Sequence, residues 1–184
     1  NYWLHNGMVN VNGQKMSKSL KNFTTIRDLL DSGTSPMTLR YFVLTVNYRK
    51  PLDFTDEALR SASEAWKNIN VALSFFDIIK KENLSSEVNE TNEFIDEEYK
   101  DIINYEISQK KIKFTNALNN DLNTAGAIAI IYELAKPLKN FINQFQRIKN
   151  LEINTNEKFH LRETFKTLEE LTDVLGLKKD EIII

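Results

Sequence analysis

The sequence predicts a mainly α protein, a short β-hairpin region followed by an antiparallel helix bundle. Three observations carry this. From Leu59 onward, apolar residues recur at steps of three and four in successive stretches, the spacing of one face of a helix. The strongest hairpin signal, Asn12-Gly13, lies near the start, behind a short alternating segment. Polar residues able to cap a helix, Thr25, Ser35, Thr55 and Asn123 or Thr124, stand ahead of four of the helical stretches.

Residues 8–11, Met-Val-Asn-Val, alternate apolar and polar as a half-buried strand does, and Asn12-Gly13 turns the chain back. Gln14 to Asn22 reads as a polar loop with few apolar anchors. A helix begins near Thr25, with Thr25 and Asp28 at capping-box spacing, and Gly33 is placed to end it. Ser35-Pro36 starts a second helix, with Ser35 as its N-cap and Leu39, Phe42, Val43 and Val46 as its apolar face. Tyr48 to Phe54, which contains Pro51, reads as extended. Thr55-Asp56-Glu57 opens a long helix whose stripe is Leu59, Ala62, Trp66, Ile69, Leu73 and Phe76. Core packing is the simplest reading of that stripe.

Residues 82–93 are polar and read as a loop or linker. A second long helix carries Tyr99, Ile102, Ile103, Ile107, Phe114 and Leu118. The turn-forming run Asn119 to Thr124 leads into a third, with Ile128, Ile131, Leu134, Leu138, Phe141 and Phe145, in which Pro137 should introduce a kink. A last helix uses Leu161, Phe165, Leu168 and Leu171 and stops at Gly176. Asn1-Tyr2-Trp3-Leu4-His5 reads as the middle of a fold, and the closing Ile182-Ile183-Ile184 as a truncation, so a fragment is expected.

Composition narrows the function classes. The 184 residues are 41% hydrophobic and 27% charged, a soluble globular balance, and no apolar run approaches the roughly 20 residues that span a bilayer. No cysteine is present, and His5 and His160 lie far apart, so no metal site is expected from this chain. A net charge of −2 is not that of a domain gripping nucleic acid by bulk charge. Any RNA contact must use local clusters: Lys15/Lys18/Lys21, Arg49/Lys50 or Lys110/Lys111/Lys113. Each has a plainer reading as a solvated face. The acidic stretch from Glu82 to Asp101 would repel phosphate.

Lys15-Met16-Ser17-Lys18-Ser19 is the one string with distinct chemistry. Two lysines three apart on a mobile loop reach one polyanion, and neighbouring hydroxyls donate to phosphate oxygens. Ammonium groups on flexible stems suit a triphosphate whose charge moves during reaction. A loop that closes as charge develops on leaving pyrophosphate stabilises the transition state above the ground state and excludes water. By composition alone an ordinary basic surface loop would be the commoner reading.

The string and its flanks resemble the cysteinyl-tRNA synthetases, a family of class I aminoacyl-tRNA synthetases. Lys-Met-Ser-Lys-Ser is the second signature of class I. His5-Asn6-Gly7, Val9 to Gly13, Leu20, Asn22-Phe23, Thr25 to Leu30, Leu39 to Phe42, Tyr48-Arg49 and Pro51 to Phe54 narrow the likeness to the cysteine branch, and Asn120 to Thr124 extends it. The resemblance implies a cytoplasmic ligase that activates cysteine with ATP and Mg and passes it to tRNA-Cys, with Lys18 on ATP, Lys15 its helper, and Ser17 and Ser19 beside them. It implies tRNA contacts at Arg40, Arg49 and Lys50. It divides the chain into residues 1–55, the lysine loop and stem-contact end of the catalytic domain, and residues 56–184, a DALR-like helical bundle that binds tRNA.

The likeness covers the carboxy-terminal side only. The nucleotide-binding half and its zinc site fall outside, so this chain alone is expected to be inactive, to bind no metal and to be a monomer without membrane contact. Lys21 stands where many members have Gly, and Ala125-Gly126 where a Pro-containing helix start is usual. Two other readings stay open: a related cysteine-activating ligase with a small-molecule acceptor, and a stand-alone helical binding module.

Overall fold

A computed structural model describes residues 2–81, 95–148 and 153–180. The predicted linker at 82–93 and the closing isoleucines lie outside the described residues. Among these, three short strands precede or interleave two small helices, and five further helices follow.

The hairpin forms where Asn12-Gly13 predicted it. Strand β1 (Val9–Val11) pairs antiparallel with β2 (Gln14–Lys15), and the turn residues take φ of 50° and 76°. Both central residues at positive φ is the geometry that matches strand twist and that Asn-Gly adopts at low cost. Gln14 and Lys15 are therefore strand, not loop: pairing Asn10 with Lys15 continues the hairpin two residues past the turn. Strand β3 (Leu52–Phe54) adds to the other edge of β1 in parallel, giving the order β2-β1-β3. The expected extended run from Tyr48 is a turn over its first three residues. Arg49 and Lys50 donate backbone N–H groups to the Asn47 side chain and carbonyl, both at 2.9 Å, before Pro51 releases the chain into β3.

Between β2 and β3 run α1 (Ile26–Asp31) and α2 (Pro36–Leu44). Thr25 and Asp28 make the full reciprocal capping box on α1, and Ser35 caps α2 with Pro36 in its first turn. The buried face of α2 differs from expectation: Tyr41 is buried and Val43 is 51% exposed. Thr38, Leu39, Tyr41 and Phe42 lie at helical steps on the face that meets α3, and one residue further round points to solvent.

Helix α3 (Asp56–Leu73) starts on Thr55, whose side chain accepts the Ala58 N–H. It does not run on through Phe76. Ser74 turns its hydroxyl back onto the Asn70 carbonyl at 2.9 Å, and α4 (Phe75–Lys81) restarts at a new angle. Helix α5 (Glu97–Asn119) buries only Ile103 and Phe114, and Ile102 from the predicted stripe is half exposed. Residues 120–123 then reverse the chain into α6 (Thr124–Arg147), which continues through Pro137 with one backbone donor missing. Helix α7 (Thr155–Val174) ends one residue before Leu175, with Gly176 at φ 64°.

The core sits between α3, α4, α6 and α7. Ile69, Phe75, Ile131, Leu138 and Leu168 have no solvent exposure, and the Phe75 ring meets Phe141 at 5.6 Å and Phe165 at 6.1 Å. Leu138→Ala is expected to lower unfolding free energy by about 2–5 kcal/mol, because the cavity it leaves cannot collapse in a close-packed bundle. Urea unfolding of the two chains side by side measures this.

The segment after α7 returns across α2 and α3. Leu175 accepts from Arg40 Nε at 2.7 Å, and Asp180 accepts from Trp66 Nε1 at 2.6 Å and Ser35 Oγ at 3.2 Å. The helices that follow the sheet are thus bound at both chain ends to the α2 that adjoins it.

Candidate functional site

The lysine loop grows directly out of the hairpin. Lys15 is the last residue of β2, and Met16 donates its N–H to the Val9 carbonyl at 3.1 Å, so the loop leaves the sheet at Ser17. It returns through a turn over residues 18–21, closed by Lys21 N–H on the Lys18 carbonyl at 3.2 Å. The Asn22 side chain staples the two ends. Its Oδ1 accepts the Ser17 N–H at 2.8 Å and its Nδ2 donates to the Lys15 carbonyl at 3.1 Å. Ser17 Oγ accepts from Leu20 N–H at 3.2 Å and shares a hydrogen bond with Ser19 Oγ at 3.2 Å. Both hydroxyls are thus engaged in the shape of the turn in this state.

The lysines are differently placed. Lys18 Nζ lies 5.9 Å from the centre of the Phe23 ring, within cation–π range. Neither Lys15 nor Lys18 pairs with a carboxylate among the described residues. The contrast with the later lysine cluster is clear. Lys110 is bound to Glu133 at 2.8 Å and Lys111 to Glu170, bridges that tie α5 to α6 and α7. Lys110 holds the Glu133 carboxyl below its ordinary range, with Lys113 adding to the effect. That cluster is partly consumed in packing.

Lys21 has φ of 52°, in the left-handed region where a β-carbon is strained. The turn therefore favours glycine at the position Lys21 holds. Lys21→Gly is expected to stabilise the turn by about 1 kcal/mol. Hydrogen exchange at the Ser17 amide should slow about fivefold, as that free energy implies.

The hairpin is held from one segment. Gly13 donates its N–H to both oxygens of Asp53, at 2.9 and 3.1 Å, and Asn12 to the Phe54 carbonyl at 3.1 Å. Leu52 donates to Met8, and Gly7 to the Tyr48 carbonyl at 2.6 Å. A β-carbon on Gly7 would overlap the Lys50 carbonyl oxygen and lie 2.5 Å from its carbon. The 48–50 turn is in turn fixed to the bundle. Arg49 grips Asp121 with Nε at 2.7 Å and Nη2 at 2.9 Å, Tyr48 Oη donates to the same carboxylate at 2.7 Å, and the guanidinium covers the Tyr48 ring at 5.0 Å. The Arg49 and Tyr48 donors hold the Asp121 carboxyl down at about 2.

The three candidate RNA contacts are therefore dispersed. Arg40 caps the end of α7, Arg49 is engaged by Asp121, and Lys50 lies on the exposed turn between them and β3. Sequence reasoning took Asn22, Asp53 and Asp121 only as parts of resembling flanks and gave none of them a role. Asn22 acts over five residues, within reach of local turn rules. Asp53 and Asp121 act over 40 and 72 residues, where a sequence carries no local signal.

Residues 1–64 match the family model for class I (C) tRNA synthetase catalytic domains, and residues 113–179 match the DALR domain. The chain belongs to the class I tRNA synthetases. It is 95% identical over its full length to a cysteine–tRNA ligase of Prochlorococcus marinus subsp. pastoris, and 93% identical to that of P. marinus strain MIT 9515. The ligase of strain MIT 9312 is 73% identical over 183 residues. In each case the chain spans 37% of the relative's length. No described helix is long and apolar enough to cross a membrane.

Proposed function

We propose that this chain is the carboxy-terminal part of a cysteine–tRNA ligase, supplying the lysine loop for ATP chemistry and helices for tRNA. The observation that carries the reading is the loop itself. It combines the class I signature with two lysines held on a stapled hairpin and unpaired with any described carboxylate. The activity belongs to the whole protein, which activates cysteine as the adenylate with release of pyrophosphate and then moves the cysteinyl group to the tRNA 3′ end.

In this reading Lys18 leaves the Phe23 face and meets the phosphates of ATP as negative charge builds on the leaving pyrophosphate, with Lys15 assisting from the strand end. An ammonium that gains its partner only as the bond breaks lowers the barrier more than it tightens binding. Ser17 and Ser19 keep the turn shaped and give their hydroxyls to phosphate oxygens when it closes. Mg accompanies ATP on its phosphates. Among the described residues no three of His, Cys, Asp and Glu come together as a metal site, and zinc in the whole protein would draw its ligands from elsewhere.

Residues 1–55 form the loop and stem-contact end of the catalytic domain, and residues 56–184 the DALR-like bundle along tRNA-Cys. Arg40, Arg49 and Lys50 are the residues this reading gives to tRNA contact, each from a different part of the fold. The whole enzyme works as a cytoplasmic monomer. Within the first 30 residues Trp3, Leu20, Phe23 and Ile26 are each exposed, the last 71% on a helix with no buried residue. Apolar side chains of that size are stabilised when further protein covers them. That supports a loop that is inactive until the nucleotide-binding half is present. The test is cysteine-dependent ATP–pyrophosphate exchange by the full-length protein and by this chain alone. Exchange by the former only is expected. Exchange by the isolated chain would refute the assignment of the ATP site to the other half.

A further inference from the structure

The geometry points to Asp121 as a positioning residue for the lysine loop, acting from the bundle through Tyr48 and Arg49. The inference rests on the loop's proposed role in ATP chemistry and adds a residue that lies outside it.

Both carboxylate oxygens of Asp121 are used, one by Arg49 Nε and the other by Arg49 Nη2 and Tyr48 Oη. The bidentate fork fixes direction as well as distance. The group it fixes is the 48–50 turn, and that turn sets the hairpin. The Tyr48 carbonyl receives the Gly7 N–H, the Lys50 carbonyl fills the space a side chain on Gly7 would need, and β3 follows at once to pair along β1. Strand β1 pairs with β2, whose last residue is Lys15. A continuous path of direct contacts therefore leads from the α5–α6 reversal to the first lysine of the loop.

The backbone, not the exposure of the pair, separates this from an ordinary surface ion pair. The side chains of Arg49 and Asp121 are 64% and 47% exposed, so the pair contributes little to stability. Yet the backbone that presents the carboxylate is strained: Asp121 and Leu122 take φ of 53° and 52°, two consecutive non-glycine residues in the left-handed region. The turn is held there by Thr124 Oγ1, which donates across to the Leu44 carbonyl at the end of α2 at 2.6 Å, and by Asn123 on the first turn of α6. The reversal so held presents an exposed carboxylate to the 48–50 turn.

The test uses the full-length ligase carrying this sequence, with Asp121→Ala, Arg49→Ala, the double variant and Lys18→Ala. Asp121→Ala is expected to lower kcat of cysteine-dependent ATP–pyrophosphate exchange about tenfold, less than the roughly 10²-fold that a full ångström of misplacement brings. The KM for cysteine and the midpoint of thermal unfolding should hold, and Arg49→Ala should add nothing in the Asp121→Ala background. Unchanged kcat in Asp121→Ala overturns the inference. So does a fall in kcat matched by a fall in the unfolding midpoint, or additive losses in the double variant. If Lys18→Ala also exchanges at the parent rate, the role of the loop itself has failed, a result distinct from failure at Asp121.

Discussion

Lys18→Ala in the full-length protein is expected to slow cysteine-dependent ATP–pyrophosphate exchange by roughly 10²–10³-fold, the range seen when one preorganised charge-stabilising group is removed. The loss should fall on kcat more than on the KM for ATP. Lys18 rests 5.9 Å from the Phe23 ring, with no described carboxylate bound to it, so its charge is available without first breaking an ion pair. The loop that carries it is stapled at both ends by Asn22, so replacing the side chain leaves the backbone path intact. Isothermal exchange assays over a range of ATP concentrations separate the two parameters. A variant within twofold of the parent would remove the role given to Lys18.

Gly7→Ala should disable the same site by a different route. The added carbon overlaps the Lys50 carbonyl and comes within 2.9 Å of Pro51 N, and all three neighbours are backbone atoms, which cannot swing aside as a side chain does. The close approach is itself made by the Gly7 N–H on the Tyr48 carbonyl. The expected local cost is about 3 kcal/mol or more, the range of severe overpacking. It should appear as lost hydrogen-exchange protection at Asn12 and Leu52, whose amides bind Phe54 and Met8 across the sheet. Amides inside α6 should keep theirs, because the atoms the added carbon meets belong to Lys50 and Pro51, outside that helix. Protection unchanged throughout would contradict the tight packing of residues 48–50 against the hairpin.

What the sequence revealed follows from the range of each interaction. The Asn12-Gly13 hairpin, the Thr25–Asp28 capping box, the Ser35-Pro36 helix start and the Gly176 stop are set by neighbours a few residues apart, and each was legible. The stripes of α6 and α7 were legible because those helices are covered along one wide face. Helix α5 is less legible: only Ile103 and Phe114 are buried, and Leu118 packs partly buried against the core while Ile102 is half exposed. The break at Ser74 was missed because the apolar period continues across it, while one hydroxyl turned onto the Asn70 carbonyl ends the helix. In the candidate site the two lysines were legible as a string. The frame that holds them depends on Asp53 and Asp121, and only the folded chain brings those carboxylates to Gly13 and Arg49.

The central claim is that this chain works inside an enzyme whose acceptor is tRNA. Aminoacylation of tRNA-Cys with labelled cysteine by the full-length protein carrying this sequence tests it most directly. ATP-dependent, acid-precipitable cysteinyl-tRNA is expected, and Lys18→Ala should abolish it. Formation of cysteinyl-adenylate with transfer only to a small amine or alcohol, and none to tRNA-Cys, would contradict that claim.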